Sequence, residues 1–185
     1  MVLDLSIRVE GEFFIKFHFH NKYDDFKWIL MAVYGPAQDD FKSAFLSELV
    51  QTCELNHLPT LTLGDFNMMR HSKEKNKNNV NRRLPFLFNV VIDSFDLREI
   101  DLTERQYTFA NSLRDPTYDK LDRVLLTTEW EFKYLIVTVH ALDRGISDHT
   151  LLLLKTGDSS YTGHAKQFKL ELSWLSHDDF KERVT

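Results

Sequence analysis

The stretch "LPTLTLGDFNMMR", Leu58 to Arg70, joins a strand pattern to oxygen-bearing side chains at the strand's exit. Threonine and leucine alternate through "TLTL", which is typical of a pleated strand. We expect Gly64 to end this strand. Asp65 and Asn67 lie two residues apart and should point to the same side, because side chains alternate along a strand. The pattern predicts a pair of oxygen ligands; the alternative is a turn in which these residues serve only the backbone.

The composition favours one folded domain without disulfides. The chain has 185 residues, 43% of them hydrophobic and 13% aromatic, enough for a substantial core. Its single cysteine, Cys53, excludes an internal disulfide and favours an intracellular location, with the nucleus as one candidate compartment. No apolar run reaches the roughly 18 residues of a membrane span, so we expect no membrane partner. The net charge of −5 argues against indiscriminate nucleic-acid binding but allows a local basic face.

The order of elements predicts an α/β or α+β class with mixed sheets. Three extended runs, "LDLSIRVE", "EFFIKFHFH" and "KWILMAVYG", precede a helix from Phe41 to about Leu55, and a second helix covers "LPFLFNVVIDSFDL". Short strands are predicted around "RQYTFANS", "KLDRVLLT", "LIVTVHAL" and "HTLLLLKT", with a short helix at "TEWEFKY". We expect one domain over residues 1–156 and, over 157–185, a linker and the start of a connector to a further domain.

Further acidic, histidine and tyrosine residues stand at the ends of apolar runs. Tyr34 closes "WILMAVYG", Asp122 lies in "KLDRVLL", and Asp148 and His149 open "HTLLLL". A turn at "SDH" and an ion pair at "LDR" are the simpler alternatives for each motif alone. Together they supply the groups for metal-assisted attack of water on a phosphodiester, with His149 as a base that Asp122 can hold. The candidate catalytic set is Tyr34, Asp65, Asn67, Asp122, Asp148 and His149.

At these residues the chain resembles the endonuclease/exonuclease/phosphatase (DNase I-like) superfamily. "GDFN", "LDRVLL" and "SDHT" occur in this order after "YGP". The run from Leu97 to Leu154 resembles the endonuclease region of plant non-LTR (LINE-type) retrotransposons, and "FKLELSWL" resembles the connector before their reverse transcriptase. The resemblance implies a four-layered α/β sandwich, two mixed β-sheets flanked by helices. It also implies magnesium-dependent hydrolysis of DNA phosphodiester bonds.

The same resemblance implies a role for each matching residue. In such enzymes the residue at Asp65 interacts with the attacking water, and the residue at Asn67 helps bind the phosphate or the cation. The residue at Tyr34 contacts the scissile phosphate, and the "LDR" aspartate orients the "SDH" histidine. The residue at Asp148 lies near the metal. The predicted metal ligands are therefore Asp65, Asn67 and Asp148, with Mg²⁺ as the cofactor.

Two departures from the family pattern bear on activity. The family's "YTW" motif reads "YTF" here, with Phe109 in place of tryptophan. The family also begins with strands that carry an asparagine and a metal-binding glutamate, whereas Glu10 and Glu12 lie in a run that resembles a later hairpin. We therefore expect a copy lacking the first strands, with a weakened metal site and weak or lost activity. The alternatives are a non-catalytic remnant or nucleic-acid-binding module, and a phosphatase of the same superfamily.

A basic loop follows the "GDFN" motif directly. Its position predicts contacts with the phosphate backbone, which add affinity without choosing a sequence. A solvated surface loop is the alternative. Glu74 is its only acidic residue. The predicted nucleic-acid-binding residues are Arg70, Lys73, Lys75, Lys77, Arg82 and Arg83.

Overall fold

A computed structural model describes residues 3–77 and 83–157 of the chain. Its main element is a six-stranded mixed sheet. The strands are β1 Leu3–Glu10, β2 Phe14–Asn21, β3 Lys27–Tyr34, β4 Thr60–Asp65, β5 Arg98–Glu99 and β8 Asp122–Leu126. Their order across the sheet is β1-β2-β3-β4-β8-β5. Strands β3 and β4 run parallel, and every other neighbouring pair in this sheet is antiparallel.

Two helices cover one face of this sheet. Helix α1 spans Asp39–Glu54 and helix α2 spans Arg83–Ser94. Their apolar sides pack with alternate strand residues around the fully buried Phe45, Phe66 and Phe88. Aromatic contacts continue through this layer, because the Phe66 ring lies 6.3 Å from that of Phe45 and 5.5 Å from that of Phe88. The residue after Asp65 is thus a core anchor, which fixes the exit of β4 against the helices.

A smaller sheet and a short helix pack on the opposite face. Strands β9 (Val137–Ala141) and β10 (Leu152–Thr156) pair antiparallel, and helix α3 spans Thr128–Lys133. Here Trp130 and Val139 are buried against the other alternate residues of β4 and β8. The described residues therefore form helices on one face of a large sheet and a second sheet on the other.

Three small elements complete the end of the sheet that carries the "GDFN" motif. Strands β6 (Phe109–Ala110) and β7 (Tyr118–Asp119) form a two-residue ladder, and a single 3₁₀ turn covers Ser72–Glu74 inside the basic loop. The sequence pattern predicts neither this turn nor the strands β5 and β7, because elements of two or three residues are too short to show periodicity. The longer predicted helices and strands are confirmed.

The expectation that Gly64 ends its strand is wrong. Strand β4 continues through Gly64 to Asp65, and Gly64 adopts a φ of +140°. A Cβ atom at this position would lie 2.1 Å from the carbonyl oxygen of Val33 on the parallel neighbour β3. The glycine therefore permits a close approach of two strands and does not terminate one.

Two predicted features lie outside the described residues. They are Arg82 and, except for Gly157, the linker and connector predicted over residues 157–185. Within residues 3–77 and 83–157, none of the helices is long and apolar enough to cross a membrane.

Candidate active site

Three neighbouring strands bring candidate residues to one end of the large sheet. Asp65 is the last residue of β4, and it pairs in register with Tyr34 at the end of β3 and with Asp122 at the start of β8. Because β8 runs antiparallel to β4, its beginning meets the end of β4. The topology alone thus places a tyrosine and two carboxylates side by side.

His149 lies between these two carboxylates. Its Nδ1 is 2.9 Å from Oδ2 of Asp122, and its Nε2 is 3.8 Å from Oδ2 of Asp65. The imidazole ring also packs at 5.1 Å from the ring of Phe109. A hydrogen bond to Nδ1 fixes the ring orientation and directs Nε2 toward the partner on the other side. The arrangement presents an oriented base next to Asp65.

Thr108 supports Asp122 from behind and is buried, with 1% of its surface exposed. Its Oγ1 accepts hydrogen bonds from the backbone N–H groups of Leu121 (3.0 Å) and Asp122 (2.9 Å). Its carbonyl oxygen accepts the N–H of Thr150, next to His149. One side chain and its own backbone therefore connect the two chain segments that carry the aspartate–histidine pair.

Asn67 reaches Asp65 by a route other than the predicted strand alternation. Asn67 lies beyond β4 with a φ of +48°, in the left-handed region that asparagine tolerates. Its backbone N–H donates to Oδ1 of Asp65 and its Nδ2 donates to Oδ2, both at 2.8 Å, while Nδ2 also donates to the carbonyl oxygen of Gly35. The prediction that the two side chains share one face through the pleat is wrong. They meet because the chain turns back on the carboxylate.

The charges around His149 favour its protonated form. Burial alone would lower the pKa of His149, but the hydrogen bond and charge of Asp122, together with the charges of Asp65 and Asp148, raise it above 6.5. Burial also raises the pKa of Asp65; its hydrogen bond from Asn67 opposes this, and the Asp122 carboxylate adds to it. A site with two close carboxylates and a basic imidazole favours proton transfer and attracts cations.

An open cleft of about 640 Å³ gives access to this group. Tyr34 lies on its rim with 74% of its surface exposed. The cleft wall also contains Lys42 and Lys75, whose cationic ends pair with Asp39 and Asp119. The charges of these two lysines are therefore already balanced by carboxylates of the same cleft.

The described residues contain one group suited to a metal ion. A carboxylate oxygen from each of Asp65 and Asp122 and a nitrogen of His149 all lie within 4.8 Å of one another. This group shares Asp65 with the predicted ligand set. Asn67 adjoins Asp65, whereas Asp148 is exposed and contributes its charge beside the imidazole. A cation would relieve the repulsion between the two carboxylates, so the donor chemistry fits a divalent ion.

The basic loop does not direct all of its cations outward. The guanidinium of Arg70 points into the protein, where it donates to Asn89 (2.7 Å) and Glu99 (2.9 Å). Lys75 and Lys77 lie near the carboxylates of Asp119 and Asp115, at 3.3 and 2.9 Å. Lys73 and Arg83 are exposed. The phosphate-binding role of the loop stays a prediction.

Sequence analysis missed Thr108 and a buried Arg123. Thr108 follows tyrosine in the "YTF" motif, where only the aromatic residue drew attention. Arg123 follows Asp122, and an arginine after an aspartate suggests a surface ion pair, not a fully buried side chain. The only signal available was the uninterrupted apolar run "VLLT" after it, which indicates a central strand.

The fold is similar to three solved structures. The endonuclease domain of TRAS1, a telomere-specific non-LTR retrotransposon, matches with a TM-score of 0.66 and 12% identity over 85% of this chain and 70% of that chain. The human Nocturnin catalytic domain matches with a TM-score of 0.51 and 15% identity over 82% and 58%. The beta toxin of Staphylococcus aureus matches with a TM-score of 0.54 and 11% identity over 78% and 57%.

This chain spans little more than half the length of the last two structures. No protein-family model and no curated protein matches it. The structural similarity covers most of this chain. The chain therefore shares its fold with these three structures.

Proposed function

We propose that this chain is a divalent-metal-dependent nuclease that hydrolyses phosphodiester bonds of DNA. The observation that carries the proposal is the position of His149, whose Nδ1 lies 2.9 Å from Asp122 while its Nε2 faces Asp65. A histidine held by one carboxylate and directed at a second group is the arrangement that general-base catalysis needs. The open cleft beside it suits a polynucleotide.

The residues divide the chemistry among them. Neutral His149 takes the proton of the attacking water at Nε2, and Asp122 stabilises the imidazolium that forms. Asp65 orients the same water, since its carboxylate faces Nε2 across 3.8 Å. Tyr34 at the rim supplies a donor for the phosphoryl oxygens. The N–H groups of Asn67 are taken by Asp65 and Gly35, so its Oδ1 is the atom left to help bind the cation.

Mg²⁺ is the cofactor we propose, held by Asp65 with Asn67 and Asp148 nearby. When bound, the ion polarises the phosphoryl oxygens and stabilises charge on the leaving oxygen. Magnesium prefers about six oxygen ligands, several of them water. Two of the three close donor groups in this structure, Asp122 and His149, already engage each other. We therefore propose a loosely held ion and a low rate of DNA nicking.

The finer architecture that we propose is the four-layered sandwich of DNase I-like enzymes without its first strands. The large sheet, its two covering helices and the smaller sheet supply three of the four layers. This arrangement supports the proposal because both faces of the large sheet are covered, leaving its end free for the cleft.

The test is nicking of supercoiled plasmid by the whole chain in Mg²⁺, with and without EDTA. We expect slow nicking that EDTA abolishes, and a loss of about 10²–10⁴-fold in His149→Ala, the range for a general base. His140→Ala is the matched control, because His140 lies on β9, away from the cleft, and pairs with Glu104. Nicking that survives His149→Ala would refute the assignment. DNA binding without nicking would favour the binding-module alternative, and release of phosphate from small phosphomonoesters the phosphatase.

A further inference from the structure

Arg123 is a buried cation directly behind the site. It follows Asp122 on β8, and successive strand residues point to opposite faces of the sheet. Asp122 therefore faces His149, while Arg123 points toward the helical layer, where its side chain has 0% exposure. Its guanidinium lies 5.9 Å from the centre of the Phe88 ring.

The guanidinium contacts three chain segments at once: the loop from Met68 to Glu74, strand β5 at Glu99, and Lys120. Nε and Nη2 donate to the carbonyl oxygen of Met68 at 3.3 and 3.1 Å. Nη1 and Nη2 donate to the two carboxylate oxygens of Glu74 at 3.1 and 2.5 Å, and Nη1 donates to Glu99 at 2.8 Å. Nη2 also donates to the carbonyl oxygen of Lys120. A planar group with five donors in a fixed fork suits this pattern, which a lysine ammonium does not reproduce.

Glu74 extends the same connection along the basic loop. Its Oε2 accepts the backbone N–H groups of Arg70 (2.6 Å) and His71 (3.2 Å). Met68, at the other contact, follows Asn67, the residue held in the left-handed turn onto Asp65. The chain between Asn67 and Glu74 is thus fastened at both ends by one side chain of β8.

We propose that Arg123 is a positioning residue: from the opposite face of β8 it holds the segment 67–74, and with it Asn67, in register with Asp122 and Asp65. The proposal deepens the proposed function and rests on it for its catalytic consequence. Asp122 and Arg123 are adjacent on one strand, so β8 holds the base on one face and the segment with Asn67 on the other.

The electrostatics indicate that this contact is costly to break. Burial would raise the pKa of Glu99, but the charges of Arg123 and Lys120 outweigh it and lower the pKa to about 2. Burial would also raise the pKa of Glu74, and its hydrogen bonds with Arg123 lower it. Removing the guanidinium would leave two buried carboxylates short of a partner, which is more costly than losing an exposed pair. The segment would then rearrange to reach water.

The test uses hydrogen exchange of backbone amides in the whole chain, which requires no activity. We expect Arg123→Met and Arg123→Lys to raise the exchange rates of the Asn67 and Arg70 amides at least tenfold relative to the amide of Met31 in the sheet core. A role in overall stability alone would accelerate all three amides together. Lys120→Met is the matched control, because Lys120 pairs with Glu99 and Asp101 but contacts neither Met68 nor Glu74 through its side chain. It should leave the ratio unchanged.

A second measurement separates this proposal from the proposed function. In Arg123→Lys, kcat for nicking should fall at least tenfold while the Met31 amide exchanges as slowly as in the wild-type chain, because the contact between Asp122 and His149 lies on the other face of β8. Should Arg123→Met fail to fold, Arg123→Lys decides the question. Selective exchange at Asn67 and Arg70 supports the positioning role even if the wild-type chain nicks no DNA, an outcome that would refute only the proposed function. If the exchange of these amides relative to Met31 is unchanged in Arg123→Lys, the positioning role of Arg123 is overturned.

Discussion

Replacing Gly64 by alanine should destabilise the protein more than any other glycine-to-alanine change that the described structure permits us to compare. The new Cβ would lie 2.1 Å from the carbonyl oxygen of Val33 and 3.0 Å from its carbonyl carbon. Both are backbone atoms of the parallel neighbour β3, so no side-chain rotation relieves the contact. The φ of +140° adds a second cost, because residues with a Cβ rarely adopt it.

The two costs can be added to a first approximation. A disfavoured backbone conformation costs about 1–3 kcal/mol, and inserting a methyl group into a packed contact costs about 1–3 kcal/mol. We expect a loss of about 4 kcal/mol in the free energy of unfolding. For a chain of this size, about 2–4 °C per kcal/mol converts this into a fall in Tm of about 8–16 °C.

Two other glycines separate the contributions. Gly145 has a φ of +59° with nothing within 4 Å of the added Cβ, so Gly145→Ala reports only the conformational cost, about 1–2 kcal/mol. Gly35 has no such φ, but its added Cβ would lie 2.3 Å from the carbonyl oxygen of Phe66, so Gly35→Ala reports only the contact. Urea denaturation of the three variants gives the three free energies. If Gly64→Ala costs no more than Gly145→Ala, the close approach of β3 and β4 is not what requires glycine.

Two further predictions concern the site and its substrate. Asp122→Asn should move the acidic limb of the pH–rate profile for nicking to lower pH. Asp122 raises the pKa of His149, so without that carboxylate the neutral base forms at lower pH. A limb that stays in place or moves to higher pH would show that His149 is not the titrating base. Lys73→Ala should reduce the slope of log affinity against log salt for duplex DNA by about 1, as for the loss of one phosphate contact, measured by fluorescence anisotropy in Ca²⁺. Lys22→Ala should leave that slope unchanged, because it removes a cation that pairs with Asp4 on the edge strand β1.

Local pattern was sufficient for the longer elements and for the order of the motifs. Alternation in "FIKFHFH" and helical spacing after Phe41 identified strands and helices of five or more residues, because each buries one face. The resemblance carried by "GDFN", "LDRVLL" and "SDHT" is confirmed at the level of the fold. The two-residue strands β5 and β7 escaped prediction, since their pairing depends on partners elsewhere in the chain.

The sequence by itself determined which residue types are available at strand ends, and it named Asp65, Asp122 and His149. Only the tertiary structure decided how they meet. The parallel and antiparallel neighbours of β4 set the register that brings the two carboxylates together, and Asn67 joins them through a left-handed turn that strand alternation does not describe. The fate of the charged residues was also a tertiary decision. Nothing in the local sequence predicts the direction of Arg70 and Arg123. The guanidinium of Arg70 turns inward to Glu99, and that of Arg123 to Glu74 and Glu99, carboxylates at least 24 residues away.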